Sequence, residues 1–423
     1  MQMYTGLPII TNKITAEEQQ GIPHHLLGIV SLHEEPWRVG VFKKKAEEVI
    51  DEIRGRGKLP ILVGGTHYYT QSLLFGENLV SDDGEGNAEI HIPREEIDKR
   101  FPILEKPTEE ILARLKEVDP IMADRWHPND RRKIQRSLEI YLTTGKQASA
   151  VYEEQKERKN AVKSHELTEQ SMDDQSLINS TILFWVHAES NVLRARLDNR
   201  VDKMVHNGLL EEVKSLGEVL YEQESNGIMV DRSRGIWVSI GFKEFETYLE
   251  AVRNGSTCGK DVNTLLSESV EQTKTATKQY SRRQVRWIRL KLLAALYGAR
   301  AQQRLFLLDG SDVSQWSEVV SEPAITITGQ FLEGEALPNP TEMSTVAMEL
   351  LSPKQRYEFS DRPDLWIRKV CELCSMTAVT ETQWELHLKS RSHRRAVKKT
   401  TKASPRNKQP CMPDEICTES DAP

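Results

Sequence analysis

"WRVGVFKKKAEEVIDEIRGRGKLPILVGGTHYY", Trp37 to Tyr69, changes its hydrophobic rhythm part-way through. Phe42, Ala46, Val49, Ile50 and Ile53 recur at helical spacing, with Lys, Glu and Asp on the other face. Arg54 to Gly57 break that helix. Leu59 to Val63 then run apolar without alternation, up to Gly64 and Gly65. A helix, a bare apolar strand and a glycine turn make half of a βαβ unit. Parallel strands covered on both faces read as continuous apolar runs. Two more such runs follow. Thr181 to His187 leads into a long helix with Leu193, Leu197, Val201, Met204 and Val205 on one face, and Leu305 to Leu308 is the third strand. The fold class expected is α/β, with a parallel sheet.

Between the first two runs the pattern turns helical and charged, in "TEEILARLKEVDPIMADRW" and "DRRKIQRSLEIYLTTGK". The expected division is therefore an α/β core in two parts, residues 1–94 and 166–321, around a helical insertion at 95–165. Residues 322–365, rich in Pro, Ser, Thr and Glu, read as a linker. A finger follows at 366–400 and a disordered tail at 401–423. The chain has 423 residues, 38% hydrophobic and 29% charged, which suits a globular protein of two or three domains. It contains no apolar run long enough for a membrane span, and its opening carries no secretory signal pattern. The net charge of −7 hides an uneven spread, because Arg391 to Lys408 holds eight Lys or Arg and no acid. Five cysteines, four of them late in the chain, fit a reducing compartment and a metal site better than disulfides.

"CELCSMTAVTETQWELHLKSRSH" sets Cys371, Cys374, His387 and His393 at C-x2-C-x12-H-x5-H spacing. Two thiolates and two imidazoles so spaced can close a tetrahedral structural Zn²⁺ site. Trp384 and Leu386 are placed to pack the helix that carries the histidines. The longer gap between histidines is common in fingers that bind RNA. The basic run after it suits a phosphate backbone, a nuclear-import signal, or both.

"LPILVGGTHYYTQSL", "DRRKIQRSLEIYLTTGK", "RGIWVSIGFKEF" and "ATKQYSRRQVRWIR" resemble, in this order, segments of the tRNA dimethylallyltransferases, also called tRNA isopentenyltransferases. "GIPHHLL" at Gly21 to Leu27 and "HPND" at His127 to Asp130 fit as well, and the finger resembles the eukaryotic branch. The resemblance covers most of Met1 to Leu290 and the finger. It implies an enzyme with a P-loop-type core and an insertion that grips the tRNA anticodon arm. Its reaction moves a dimethylallyl group from dimethylallyl diphosphate to the exocyclic amine of the adenine 3′ of the anticodon. The base must leave its stack to be reached, at a cost of a few kcal/mol.

The resemblance also assigns roles to residues. Arg200 matches the arginine that binds the diphosphate, which would carry Mg²⁺. Thr66 matches a position that touches the tRNA near the target base, and it also sits where a helix N-cap belongs. Arg132, Lys133, Ile134, Gln135 and Arg136 match a helix on the anticodon loop, although by themselves they read equally as a solvated face. Val238, Ser239, Ile240, Gly241, Phe242 and Lys243 match another tRNA-contacting segment. So do Arg282, Arg283, Gln284, Arg286 and Arg289, which surround Trp287, itself read as core packing. His24 and His25 read as structural or substrate-loop residues.

The opening "MQMYTGLPIITNK" reads as a loop. Gln2 and Tyr4 match the end of a family motif Asp-Ser-x-Gln-x-Tyr, in which Gln2 meets tRNA and the Asp is the general base. That Asp, the first strand and the P-loop have no counterpart here, and no G-x-x-x-x-G-K-[ST] turn occurs elsewhere. Two outcomes are therefore open: an ordinary transferase read from an incomplete start, or an inactive tRNA-binding protein of the same family. A P-loop kinase with an unrelated finger is disfavoured. A monomer is expected, in the cytoplasm, with nucleus and mitochondrion also open.

Overall fold

The computed structural model describes residues 1–75, 97, 99–154, 157, 177–228, 230–255, 261–352, 366–374 and 376–403. The chain is an α/β protein with a helical majority. It divides into two compact units, Met1–Ser81 with Glu169–Glu358, and Asp82–Thr168 with Phe359–Pro423. The tail expected at 401–423 lies outside the described residues beyond Ala403.

In the first unit, β1 (Leu183–His187) and β2 (Leu305–Asp309) pair in parallel, from Leu183↔Leu305 to His187↔Asp309. Leu305, Phe306, Leu307 and Leu308 are all buried, as a strand covered on both faces requires. The Ser190–His206 helix follows β1, with Val201 and Met204 buried. The Val262–Trp287 helix packs against it.

The helix expected from Phe42 to Ile53 is present as Val39–Gly55, and Gly57 at φ +67° helps turn the chain out of it. The strand expected at Leu59 to Val63 does not form. The segment has no strand hydrogen bonds, and Leu59, Ile61, Leu62 and Val63 are 49%, 77%, 49% and 87% exposed. An apolar run records that side chains suit burial. Strand pairing also needs a neighbouring strand, and among the described residues none lies beside this run.

The opening loop is well anchored. Tyr4, Leu7 and Ile10 are buried in a core with Leu216, Phe242 and Phe245. The carboxylate of Glu212 accepts from the backbone N–H groups of Ile9 and Ile10 at 2.9 and 2.8 Å. The Lys13 ammonium donates to the carbonyls of Tyr4 and Gly6. Tyr4 pairs with Val30 as an isolated parallel bridge.

Residues 322–352, expected within a linker, are instead folded. Glu322–Glu333 and Thr345–Leu351 are helices, and Ile327, Ala347 and Leu351 are buried. Pro and Ser misled because they also start helices. Pro323 sits in the first turn, where no N–H is needed, and Ser344 caps the second helix by accepting from Ala347 N at 3.0 Å. Residues 353–365 lie outside the described residues.

The second unit joins the helical insertion to the finger. Thr108–Val118, Pro120–Arg125 and Arg131–Thr144 are helices, as expected. Asp119 is fully buried between the first two. One carboxylate oxygen accepts from Met122 N at 3.2 Å and the other from Ser149 N at 2.8 Å. Asp119→Ala would leave two amides without acceptors, so it is expected to destabilise the unit by about 1–3 kcal/mol. An unchanged urea midpoint would contradict this. The finger is a hairpin, β3 (Trp366–Val370) with β4 (Thr377–Thr380), followed by helices Glu381–Leu388 and Arg391–Ala403. It packs through β3 on the Pro120–Arg125 helix, with Arg368 3.6 Å from Asp124.

Candidate functional site

Thr66 ends the Gly64-Gly65 turn and precedes the helix His67–Leu74. It occupies the N-cap position without capping. Its hydroxyl instead meets the Tyr280 hydroxyl at 2.9 Å. Further along, Gln284 Oε1 accepts from His67 N at 3.2 Å, and the indole N–H of Trp287 donates to Gln71 Oε1 at 2.9 Å. Tyr280, Gln284 and Trp287 follow one another at i, i+4 and i+7, so one face of the long helix zips onto the short one. Trp287 is thus a packing residue, edge-on to Tyr68. Arg282, Arg283 and Arg286 are exposed and Arg289 is half-buried. Burial pushes the His67 imidazole below its ordinary pKa, so it is neutral at pH 7.

Arg200 lies on the helix that leaves the carboxyl end of β1. One turn earlier, Arg196 donates to the carbonyls of Gly310 and Ser311 at 2.8 and 2.7 Å, which commits it to structure. Arg200 makes no hydrogen bond or ion pair with any described residue. It stays solvent-accessible, yet the surrounding protein removes enough water to lower its pKa from the ordinary arginine value. A partly dehydrated cation without a protein anion is suited to an anionic ligand.

The expected anticodon helix is less open than its composition suggests. Ile134 is completely buried, the Gln135 amide donates to Leu104 O at 3.1 Å, and Arg136 pairs with Glu139 at 2.7 Å. Arg132 and Lys133 face solvent. Lys133 also pairs with Asp130 at 2.9 Å and lies 5.0 Å from the Trp126 ring centre. In the 238–243 segment, Val238 and Lys243 reach solvent while Ser239, Gly241 and Phe242 are buried and Ile240 is half-buried. Gly241 at φ +102° lies against Ile10, where an added Cβ would meet Ile10 Cγ1 at 3.1 Å. Gln2 is exposed, its amide donating to Asn12 O at 2.7 Å. His24 accordingly reads as a loop residue, with Nδ1 2.8 Å from Ile22 O.

Cys371, Cys374, His387 and His393 bring one ligand atom each to within 4.8 Å of one another. His393 Nδ1 lies 3.5 Å from Cys371 Sγ and 3.6 Å from Cys374 Sγ. Bonds of about 2.0–2.3 Å around a tetrahedral ion require ligand–ligand edges of roughly this length. His387 Nε2 is buried with no hydrogen-bond partner, which a metal bond would supply. By themselves, burial and the adjacent Cys371 thiol push the Cys374 thiol above its ordinary pKa. Two crowded thiols of this kind are stable as a pair of thiolates only beside a cation. The donor set fits a four-coordinate metal ion.

Residues 2–291 match the family model described as IPP transferase. The chain belongs to the IPP transferase family. The tRNA dimethylallyltransferase of Schizosaccharomyces pombe is 34% identical over 94% of this chain and 88% of its own. That of Saccharomyces cerevisiae is 35% identical over 95% and 85%, and the human one 33% over 94% and 79%. A solved eukaryotic dimethylallyltransferase, described as acting on tRNA, superposes with a TM-score of 0.71 at 32% identity. It covers 95% of this chain and 89% of the solved one. For this IPP transferase, sequence reasoning passed over Tyr280 and Gln71, which fix Thr66 and its helix. The i, i+4, i+7 recurrence of Tyr280, Gln284 and Trp287 was the signal available.

Proposed function

We propose that the chain transfers a dimethylallyl group from dimethylallyl diphosphate to the exocyclic amine of the adenine 3′ of the tRNA anticodon. The C–O bond to diphosphate breaks, the N–C bond forms, the amine loses a proton and diphosphate departs. The observation that carries this reading is the match of residues 2–291 to the IPP transferase family together with tRNA dimethylallyltransferase relatives along most of the chain, and Arg200, exposed and without a described protein anion, is the cation we assign to the diphosphate. Charge develops on the leaving diphosphate, and a fixed cation there lowers the barrier.

Thr66, Gln2, the solvent-facing Val238 and Lys243 of the 238–243 segment, and the arginines from Arg282 to Arg289 would hold the tRNA in the first unit. Arg132, Lys133 and the finger would hold it in the second. The finger takes Zn²⁺, the ion that matches two thiolates and two imidazoles at tetrahedral spacing. Mg²⁺ would arrive with the diphosphate, since this ion is usually held by substrate phosphates and water with few protein ligands. The β1–β2 pair with its following helix suits a P-loop-type core. No helix among the described residues is long and apolar enough to cross a membrane. We place the protein in the cytoplasm as a monomer, with the basic run after the finger able to serve nuclear entry too.

Labelled dimethylallyl diphosphate and tRNA, incubated with the protein, test this. Label should appear in the nucleoside next to the anticodon after digestion and chromatography. Label elsewhere, or none, would overturn the reading.

A further inference from the structure

The helix that carries Arg200 makes two ion pairs with the Val262–Trp287 helix. Lys278 Nζ lies 2.8 Å from Asp198 Oδ1 and donates to Oδ2 at 3.1 Å. Lys274 Nζ lies 2.8 Å from Asp202 Oδ1. Each pair of like residues is spaced i, i+4, so both lysines share one face of the Val262–Trp287 helix and both aspartates one face of the Ser190–His206 helix. The numbers run in opposite directions, 274 with 202 and 278 with 198, so the two helices are antiparallel along this seam. Arg200 sits two residues from either aspartate. At about 100° per residue, that places it on the far side of its helix from the seam. From that far side, Arg196 clamps the helix to the carbonyls of Gly310 and Ser311. The helix is therefore restrained against rotation from both faces.

We propose that Lys274, Lys278, Asp198 and Asp202 are positioning residues that set the rotation of the Ser190–His206 helix and so aim Arg200 at the diphosphate. This rests on the diphosphate reading of Arg200. Tyr280, bound to Thr66, lies two residues past Lys278 on the same rigid helix. The seam thereby ties the position of Arg200 to that of Thr66, so the two halves of the reaction share one frame. The lysine side chains are 16% and 26% exposed but their aspartates 56% and 35%, and such partly solvated pairs add little to folding. Orientation is what two registered rungs supply.

A double-mutant cycle on the full chain tests the proposal. Lys278→Ala is expected to lower kcat about tenfold and raise KM for dimethylallyl diphosphate, since small misplacements at a reacting centre are costly. KM for tRNA and the melting temperature should stay near the wild-type values. Lys278→Arg should retain activity, and Lys278→Asp with Asp198→Lys should recover part of it. In an Arg200→Ala background, Lys278→Ala should have no further effect, because residues acting through one another are non-additive. An equal loss in both backgrounds would overturn the positioning role. If Arg200→Ala itself left kcat and KM for dimethylallyl diphosphate unchanged, the diphosphate reading would fall instead, whatever Lys278 does.

Discussion

Replacing Arg200 with alanine should lower turnover of bound tRNA by about 10²–10³-fold, the usual loss when one preorganised donor to a developing charge is removed. Affinity for the tRNA anticodon arm should hold, because the residue binds the other substrate. The expectation follows from what surrounds Arg200. Its neighbour Arg196 is already engaged with two carbonyls, while Arg200 is partly dehydrated and has no described partner. Arg200→Lys should fall between the two, since an ammonium keeps the charge but loses the planar fork that matches phosphate oxygens. Single-turnover transfer with saturating tRNA gives the number. A variant that bound tRNA poorly but turned over bound tRNA normally would assign Arg200 to the RNA instead.

The second large effect belongs to the finger. Cys371→Ser should abolish stoichiometric zinc and unfold the finger. Structural zinc in such modules contributes roughly 10–16 kcal/mol of apparent binding free energy, as much as a whole domain's stability of about 5–15 kcal/mol. The finger has little else to rely on, since its described buried side chains are chiefly Cys371, Ala378 and His387. Affinity for the anticodon arm should weaken about tenfold if the basic run after the ligands meets phosphate as proposed. Melting of the first unit should not change. The Cys374 thiol, raised above its ordinary pKa when no cation is bound, must lose its proton on metal binding. Loading should therefore weaken as pH falls. Metal content by elemental analysis decides, and unchanged stoichiometry in Cys371→Ser would rule out the ligand assignment.

Legibility followed the range of each interaction. The finger was plain because its four ligands lie within 23 consecutive residues at fixed spacings, Cys371 to His393. Val39–Gly55, β1 and β2 were plain because periodicity and continuous apolar runs are local signals. Leu59–Val63 failed because strand pairing is a relation between segments. Gln135 and Arg136 looked available for RNA, yet Leu104 and Glu139 engage them, and sequence distance conceals the first of these partners. The Lys278–Asp198 and Thr66–Tyr280 contacts join residues 80 and 214 positions apart, beyond any motif. Residues 322–352 were misread for a different reason, because Pro and Ser mark helix starts as well as linkers.

The second unit has a further consequence for how the protein is made. Its halves, Asp82–Thr168 and Phe359–Pro423, are separated by about 190 residues of the first unit. At ribosomal speeds of about 5–20 residues per second, the insertion emerges roughly 10–40 s before the finger that packs on it. Throughout that interval the Pro120–Arg125 helix has no β3 against it, and Asp124 has no Arg368. The intervening chain must fold without drawing that exposed surface into a wrong contact. A slow codon or a shortage of zinc late in translation would lengthen the wait, so yield of the intact protein depends on timing as well as on final stability.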